Sequence, residues 1–233
     1  MKYFRLHIFL NMAIDTIAYQ SIISSLREKQ VTLVAVSKTK PAEDIQALYA
    51  LGQRDFGENY VQELLDKQPV LPADIRWHFI GHLQSNKVKY IAPFVHLVHG
   101  VDSYKLLKEI NKQAEKCNRV INCLLQVHIA QEETKFGFDE AELEEAMQQL
   151  QQEPMSHVVV IGFMGMASFS DDKQKVRAEF ASLASLFHRY KATNAAFTTL
   201  SMGMSGDYVM AIEEGSTMVR IGSLLFGARE YHK

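Results

Sequence analysis

Three groups of residues in this chain have types and spacing that could do chemistry. The first is Lys38, an amine placed where the apolar run Val31-Thr32-Leu33-Val34-Ala35-Val36 gives way to the polar turn Ser37-Lys38-Thr39-Lys40-Pro41. A lysine held against an apolar floor has a disfavoured ammonium form. Its amine becomes nucleophilic and can form a Schiff base with an aldehyde. The plain alternative is a solvated loop lysine. The second group is the pair of small-residue stretches Ser201-Met202-Gly203-Met204-Ser205-Gly206 and Gly222-Ser223. Glycines let a phosphate approach backbone N–H groups, and serine hydroxyls add donors. The same residues also serve as turns and helix caps. The third is Arg220, set inside the apolar run Met218-Val219-Arg220-Ile221-Gly222. A buried arginine needs a partner, either a carboxylate such as Glu58 or a ligand.

These groups matter only if something brings them together. Apolar, β-rich runs recur near 32–37, 54–57, 76–81, 95–101, 121–129, 157–163, 196–202 and 217–221. Helix-type patterns lie between and after them, near 42–51, 59–67, 84–91, 103–117, 139–152, 173–190, 207–214 and 224–230. Asp102-Ser103 and Asp139 are N-cap candidates for the fourth and fifth of these helices. An extra helix over roughly 13–29 precedes the first strand. Eight strands alternating with eight helices predict a single (β/α)8 TIM barrel with an extra N-terminal helix. A doubly wound open sheet is the rival, but it would want a glycine-rich turn after its first strand, and that turn holds Lys38 and no glycine.

In a closed barrel the carboxyl ends of the strands share one mouth, and strand 8 pairs with strand 1. Lys38 on strand 1 then neighbours Ser205, Gly222 and Ser223 on the loops after strands 7 and 8, where barrels often hold phosphate. Asn59 and His82, at the ends of strands 2 and 3, are expected at the edge of the same pocket, with Ser201 and Met204. A ligand carrying an aldehyde and a phosphate fits, and pyridoxal phosphate has both. Unless it pairs with Glu58, Arg220 would face the pyridine nitrogen. A permanent cation there leaves that nitrogen unprotonated and weakens the ring as an electron sink. Met164, Met166, Met202 and Met204 are expected as pocket wall or barrel core. His78 with His82, and His96 with His99, invite a metal reading. Their spacing falls across strands and no acidic or cysteine residue completes a set, so no metal site is expected. Lys40, Lys87, Lys89 and Lys135 read as surface charges, with Lys87 close enough to the mouth in sequence to help attract an anion.

Composition agrees with one soluble globular domain. The chain has 233 residues, 47% hydrophobic and 22% charged, enough for one large core. A formal net charge of -2 with no basic block leaves no electrostatic footprint for nucleic acid. No apolar stretch approaches a membrane span. Cys117 and Cys123 are too few for a disulfide framework and lack zinc-site spacing; Cys123 reads as a buried small hydrophobe. A cytoplasmic location follows. Residues 1–11 start with a basic and apolar mixture, but His7 and Asn11 interrupt it and no cleavage pattern follows. They read as a disordered, dispensable extension ahead of a barrel over 12–233, with Met12 as an alternative start.

The motifs also carry a family resemblance. Ala35-Val36-Ser37-Lys38-Thr39-Lys40-Pro41, Phe56-Gly57-Glu58-Asn59-Tyr60-Val61-Gln62-Glu63 and Trp77-His78-Phe79-Ile80-Gly81-His82-Leu83-Gln84-Ser85-Asn86-Lys87 are followed by Leu200-Ser201-Met202-Gly203-Met204-Ser205 and Gly215-Ser216-Thr217-Met218-Val219-Arg220-Ile221-Gly222. In that order they resemble the pyridoxal-phosphate homeostasis proteins, the YggS/PROSC-type family, from about residue 13 onward. The resemblance implies a barrel of the alanine racemase N-terminal-domain type, with pyridoxal 5'-phosphate in Schiff-base linkage to Lys38. It implies Arg220 at the pyridine nitrogen, phosphate contacts from Ser205, Gly222 and Ser223, and Ser201, Met204 and Asn59 nearby. Members of the family bind or buffer the cofactor and keep free aldehyde low. Two stretches depart from the usual wording: Val127–Lys135, and Met164-Gly165-Met166-Ala167-Ser168.

Two function classes follow. One is a monomeric carrier that buffers pyridoxal phosphate and passes it to apo-enzymes, without robust catalysis. The other is a single-domain amino-acid racemase using the same cofactor. Racemisation by two bases needs a second base over the lysine. Tyr60 is a candidate only if its hydroxyl turns inward, and it is expected to begin the second helix. A barrel that binds some other phosphate ester without an imine is a third reading, which an absorbance scan separates.

Overall fold

The computed structural model describes residues 14–130 and 136–227. The expected extension over 1–11, the alternative start Met12 and Lys135 lie outside them. Eight parallel strands run in sequence order around a closed barrel: β1 (Thr32–Val36), β2 (Asp55–Glu58), β3 (Arg76–Phe79), β4 (Leu97–Val101), β5 (Ile121–Gln126), β6 (Val158–Met164), β7 (Thr199–Ser201) and β8 (Met218–Ile221). β8 pairs back on β1, with Val34 opposite Arg220 and Ala35 opposite Ile221. Helix α1 (Thr16–Glu28) precedes the barrel. Outside it lie α2 (Ala42–Ala50), α3 (Val61–Lys67), α4 (Val88–Ile91), α5 (Tyr104–Lys116), α6 (Glu140–Gln152), α7 (Lys173–Lys191), α8 (Tyr208–Glu213) and α9 (Ser223–Phe226). No helix among the described residues is long and apolar enough to cross a membrane.

The strand period of two sorts each sequence onto two faces. Val34, Leu97, Leu124, Met164 and Met218 form a small separate cluster, the barrel's own filling. Leu33 and Ala35 belong instead to the large core, which also holds Ile45 and Leu48 of α2. Each buried Leu, Ile, Val or Met among these contributes about 1.5–3 kcal/mol by leaving water. Between β5 and β6 the register slips by one residue at Cys123/Leu124, and Gly162 sits at the slip with φ +148°. A Cβ there would lie 1.8 Å from the Thr199 carbonyl oxygen, so only glycine fits.

Helix ends follow local chemistry. Asp15 caps α1 by accepting from Ala18 N–H at 2.8 Å, and Tyr19, Ile22 and Leu26 bury one stripe of that helix. Ser103 caps α5, and Asp139 caps α6 in a reciprocal box with Glu142. The helix expected over 84–91 is a 3-10 turn, Ser85–Lys87, running into α4. Of the helix expected over 224–230, α9 covers Ser223–Phe226, and 228–230 lie outside the described residues. The strand expected to reach 129 ends at Gln126, with Val127 making only an isolated bridge to Phe138.

Candidate functional site

A cavity of about 410 Å³ opens at the carboxyl ends of the strands, within the usual size of ligand pockets, roughly 300–1,000 Å³. Lys38, Asn59, Met204, Ser205, Arg220, Gly222 and Ser223 all line it, with Val36, Ile80 and Met166 as apolar wall. Alternation explains the wall. Val34 fills the barrel, so Val36 on the same face comes next along the strand direction, and Lys38 follows in the turn beyond it. Lys40 also lines the cavity, and its ammonium donates to the Phe226 carbonyl at 2.7 Å. The reading of Lys40 as a plain surface charge is therefore corrected: the chain turns back there and seats it against α9.

The turn that carries Lys38 is held on both sides. Lys40 N–H donates to Ser37 O at 3.0 Å, and Thr39 takes φ +64°. That conformation costs a β-branched residue about 1–3 kcal/mol. Thr39 N–H finds Glu63 Oε1 at 2.5 Å in return. Beneath the turn, the buried Lys67 ammonium donates to Ser37 O at 2.9 Å, Glu58 Oε1 at 2.8 Å and Glu63 Oε1 at 2.6 Å. The Ser37 hydroxyl also donates to Glu58 Oε1, at 2.7 Å. Burial pushes the Glu58 carboxyl up, and the Lys67 ammonium works against that rise. Glu58 Oε2 has no hydrogen-bond partner among the described residues. Lys67 was not singled out from the sequence. The i,i+4 spacing of Glu63 and Lys67 was the available signal, but it does not tell a buried pair from a surface one.

The two small-residue loops meet. Gly222 N–H donates to Ser205 Oγ at 3.3 Å, joining the β7 loop to the start of α9. Arg220 N–H donates to Gly203 O at 3.0 Å, and Met204 N–H to Asp207 Oδ1 at 2.6 Å. A Cβ on Gly222 would sit 3.3 Å from both the Cβ and the carbonyl oxygen of Val36, so the backbone runs close to β1. The first amides of α9 have no carbonyl to bond within the helix. The site can thus offer amide and hydroxyl donors to an anion.

Arg220 is 4% exposed. Its Nη1 donates to the Ser201 carbonyl at 2.9 Å and the Ser201 hydroxyl at 2.7 Å, and its Nη2 to the Gly165 carbonyl at 3.0 Å. The alternative of a Glu58 pair is ruled out: Glu58 has the opposite strand parity from the inward Asp55 and turns to Lys67 on α3. Burial lowers the guanidinium to about 10, with Asp207 pulling the other way, so it remains a cation at neutral pH.

Two expected pocket residues stand outside the lining. Ser201 is fully buried beneath Arg220. His82 is bonded to Asp102 Oδ2 at 2.9 Å and stacks on Phe136, with ring centroids 4.5 Å apart. The statement that no acidic residue completes a histidine set is also corrected. Ligand-type atoms of Asp55, His78 and His96 lie within 4.8 Å of one another. Arg76 occupies Asp55 through both carboxylate oxygens, at 2.7 and 2.5 Å, which places a guanidinium where a metal ion would need to approach. Two further cavities, about 390 and 410 Å³, lie among α6, α7 and the flanks of β5 and β6, away from Lys38 and Arg220.

Comparison with known proteins agrees with this architecture. Residues 14–230 match the family model of the alanine racemase N-terminal domain. The pyridoxal phosphate homeostasis protein of Pasteurella multocida (strain Pm70) is 41% identical over 213 residues, covering 88% of this chain and 90% of that protein. The protein of the same name from Aquifex aeolicus (strain VF5) is 43% identical over 206 residues, again covering 88% and 90%. PipY of Synechococcus elongatus PCC7942, solved with PLP bound, is 36% identical with a TM-score of 0.80, covering 91% of this chain and all of that one. By the family model, by relatives matched over most of both chains, and by the closed barrel that carries Lys38, this chain belongs to the pyridoxal phosphate homeostasis proteins within the alanine racemase N-terminal domain family.

Proposed function

We propose that this chain binds pyridoxal 5'-phosphate as a Schiff base on Lys38, and that it holds and delivers the cofactor inside the cell rather than turning over substrates. One observation carries the reading. A lysine amine, a hydroxyl and amide cradle, and a buried arginine line a single cavity. The names of the relatives and the cofactor bound to PipY support it. When bound, pyridoxal phosphate supplies an aldehyde for an amine to condense with, releasing water, and an aromatic ring able to accept electron density.

The residues divide the work. Lys38 provides the amine. Ser205, Gly222 and Ser223 take the phosphate through hydroxyl and backbone donors. Arg220 faces the pyridine nitrogen with permanent N–H donors, and Asn59 and Met204 close the side of the cavity. An arginine does not pass a proton to a pyridine, so the ring's capacity to stabilise a carbanion stays low. Apart from Lys38, Lys40 and Arg220, the described lining residues carry no titratable side chain. Lys40 is engaged by the Phe226 carbonyl, and Tyr60 is an exposed residue at the start of α3. A second base for racemisation is therefore lacking among them. In this reading the protein is a cytoplasmic monomer, and apo-enzymes that need the cofactor are its recipients.

The test is the visible spectrum of the purified protein mixed with pyridoxal phosphate, before and after borohydride. A yellow protein whose band disappears on reduction, with the adduct mapped to Lys38, is the expected result. A colourless mixture overturns the proposal and favours a barrel for another phosphate ester.

A further inference from the structure

Arg220 is a buried cation whose direct contacts are all neutral: the Ser201 carbonyl, the Ser201 hydroxyl and the Gly165 carbonyl. A buried charge left without compensation is costly. Asp207 offsets part of that cost, and a line of hydrogen-bond contacts leads from the guanidinium through the barrel interior to a second carboxylate. Ser201 Oγ is 3.1 Å from His99 Nδ1, His99 Nε2 is 2.9 Å from His78 Nδ1, and His78 Nε2 is 3.0 Å from Asp55 Oδ1. The five residues come from β8, β7, β4, β3 and β2. Ser201 and His99 are fully buried, and His78 nearly so. The line runs from the wall of the cavity to the amino-terminal floor of the barrel. There Arg76 closes it on Asp55.

The proton positions follow from counting donors. Hydrogen bonds from Arg76 and His78 outweigh the effect of burial on Asp55, which pushes its carboxyl up, and hold it well below the usual carboxylate range. Asp55 therefore only accepts, and His78 carries its proton on Nε2. Burial, with His78, Arg220 and His96 nearby, keeps His99 neutral. If His78 is also neutral, its Nδ1 accepts from His99 Nε2–H. His99 Nδ1 then accepts from the Ser201 hydroxyl, whose oxygen accepts from Arg220. Every donor points from the cavity toward Asp55. In the alternative, an imidazolium His78 donates to His99, His99 donates to Ser201, and the Ser201 hydroxyl hydrogen is left with no acceptor in a dry interior. The first arrangement satisfies every donor and acceptor from Ser201 to Asp55.

We propose that Asp55, His78, His99 and Ser201 form a one-directional hydrogen-bond chain that positions Arg220 for the occupant of the cavity. They are positioning residues: their lone pairs all face the guanidinium and carry the influence of the Asp55 charge to it. Ser201 and Gly165 together take three of the five guanidinium hydrogens. The remaining two, one on Nη2 and one on Nε, have no partner among the described residues. They are the donors that Arg220 keeps for a ring nitrogen. This role rests on the cofactor assignment above, whereas the direction of the chain does not.

The experiment uses the full chain labelled with ¹⁵N at histidine, each signal assigned by single substitution. Imidazole spectra of the cofactor-free protein at pH 8 should show His78 and His99 each protonated at Nε2 alone. A proton on His99 Nδ1, or an imidazolium His78, overturns the directional chain. Pyridoxal phosphate is then added to Ser201→Ala and Ser201→Thr. The alanine variant should lose roughly tenfold in affinity, the scale of one hydrogen bond to a charged group, and its visible band should shift. The threonine variant, which keeps a hydroxyl, should restore both. Wild-type affinity and band in a folded Ser201→Ala protein overturn the positioning role. If Ser201→Ala does not fold, His99→Gln is read by the same two measures. A wild-type protein that stays colourless sinks the cofactor assignment, and the imidazole spectra still decide the chain.

Discussion

The ammonium of Lys67 lies 2.9 Å from the carbonyl oxygen of Ser37, one residue before Lys38. The turn that presents the candidate nucleophile is therefore fastened by a cation on a different element. Lys67→Met would remove that link and leave Glu58, fully buried, beside Ser37 without its counter-ion. Losing one partner of a buried pair costs about 3–5 kcal/mol. Urea unfolding should show a loss of that size, and adding Glu58→Gln should recover part of it. A Lys67→Met protein as stable as the wild type would mean that the ammonium does not hold the turn.

Lys38→Ala should abolish the borohydride-stable adduct. Mass spectrometry of peptides after reduction should find the cofactor mass on Lys38 in the wild type and on no peptide of the variant. An equal yield of adduct in the variant would move the amine to another lysine, with Lys40 the first to examine because it lines the same cavity.

The proposed phosphate cradle makes a separate prediction. Ser205→Ala removes a hydroxyl that already orients Gly222 N–H. Gly222→Ala pushes a methyl toward Val36. Each should weaken pyridoxal phosphate binding by about 1.5–3 kcal/mol, the worth of a hydrogen bond to a charged group. Pyridoxal without its phosphate should bind far more weakly than the phosphorylated form and be nearly insensitive to both substitutions. Competition titrations read this directly, and equal affinities for the two forms would rule out the cradle.

Stability should fall on acidification in two stages. His99 has a folded pKa below that of the unfolded chain, about 6.5. As pH drops below that value the unfolded state gains a proton that the folded state refuses, and stability declines. Asp55 is also depressed. Its contribution is full above the unfolded aspartate value of about 3.9 and is lost as pH falls below it. Glu58, whose folded pKa is raised, works in the opposite sense over the carboxylate range. Thermal melts at pH 7.5, 6 and 5 should fall in that order, and His99→Gln should flatten the first stage.

Catalysis should be negligible. Chiral chromatography of alanine, serine and other amino acids incubated with the cofactor-loaded protein should show no interconversion at ordinary enzyme rates, roughly 1–1,000 per second. The bound cofactor should instead pass to an added apo-enzyme. Turnover in that range would make the chain a single-domain racemase.

The barrel was legible in the sequence because alternation of strand and helix is local: each run declares its own period. That Lys38, Ser205, Gly222 and Ser223 line one cavity was legible because a strand end followed by a polar turn marks the mouth. What stayed hidden depends on facing. Glu58 looked available to Arg220, but it lies three residues from Asp55 and so turns to the other side of β2. His78 and His99 stood out as histidines, yet their partnership depends on which strand faces which across the barrel interior, and no window of sequence contains it. Lys67 escaped for a related reason: Glu63 is one turn away on its own helix, but Ser37 and Glu58 come from the turn after β1 and from β2.

The pairing of β8 with β1 has a consequence in time. Synthesis delivers the chain from its amino end, so Lys38 emerges well before Arg220, Gly222 and Ser223. Until β8 docks, the nascent chain has the amine but neither the cradle nor the guanidinium, and it cannot capture cofactor in this geometry. Closure joins residues nearly two hundred positions apart, Val34 to Arg220 and Lys40 to Phe226, the kind of distant contact that folds slowly. A ligand bonded to Lys38 and gripped by Gly222, as proposed, would span that junction. It would act as a clasp on that edge, favouring the closed ring over the open one by mass action. The colour of the loaded protein would then report that folding has been completed.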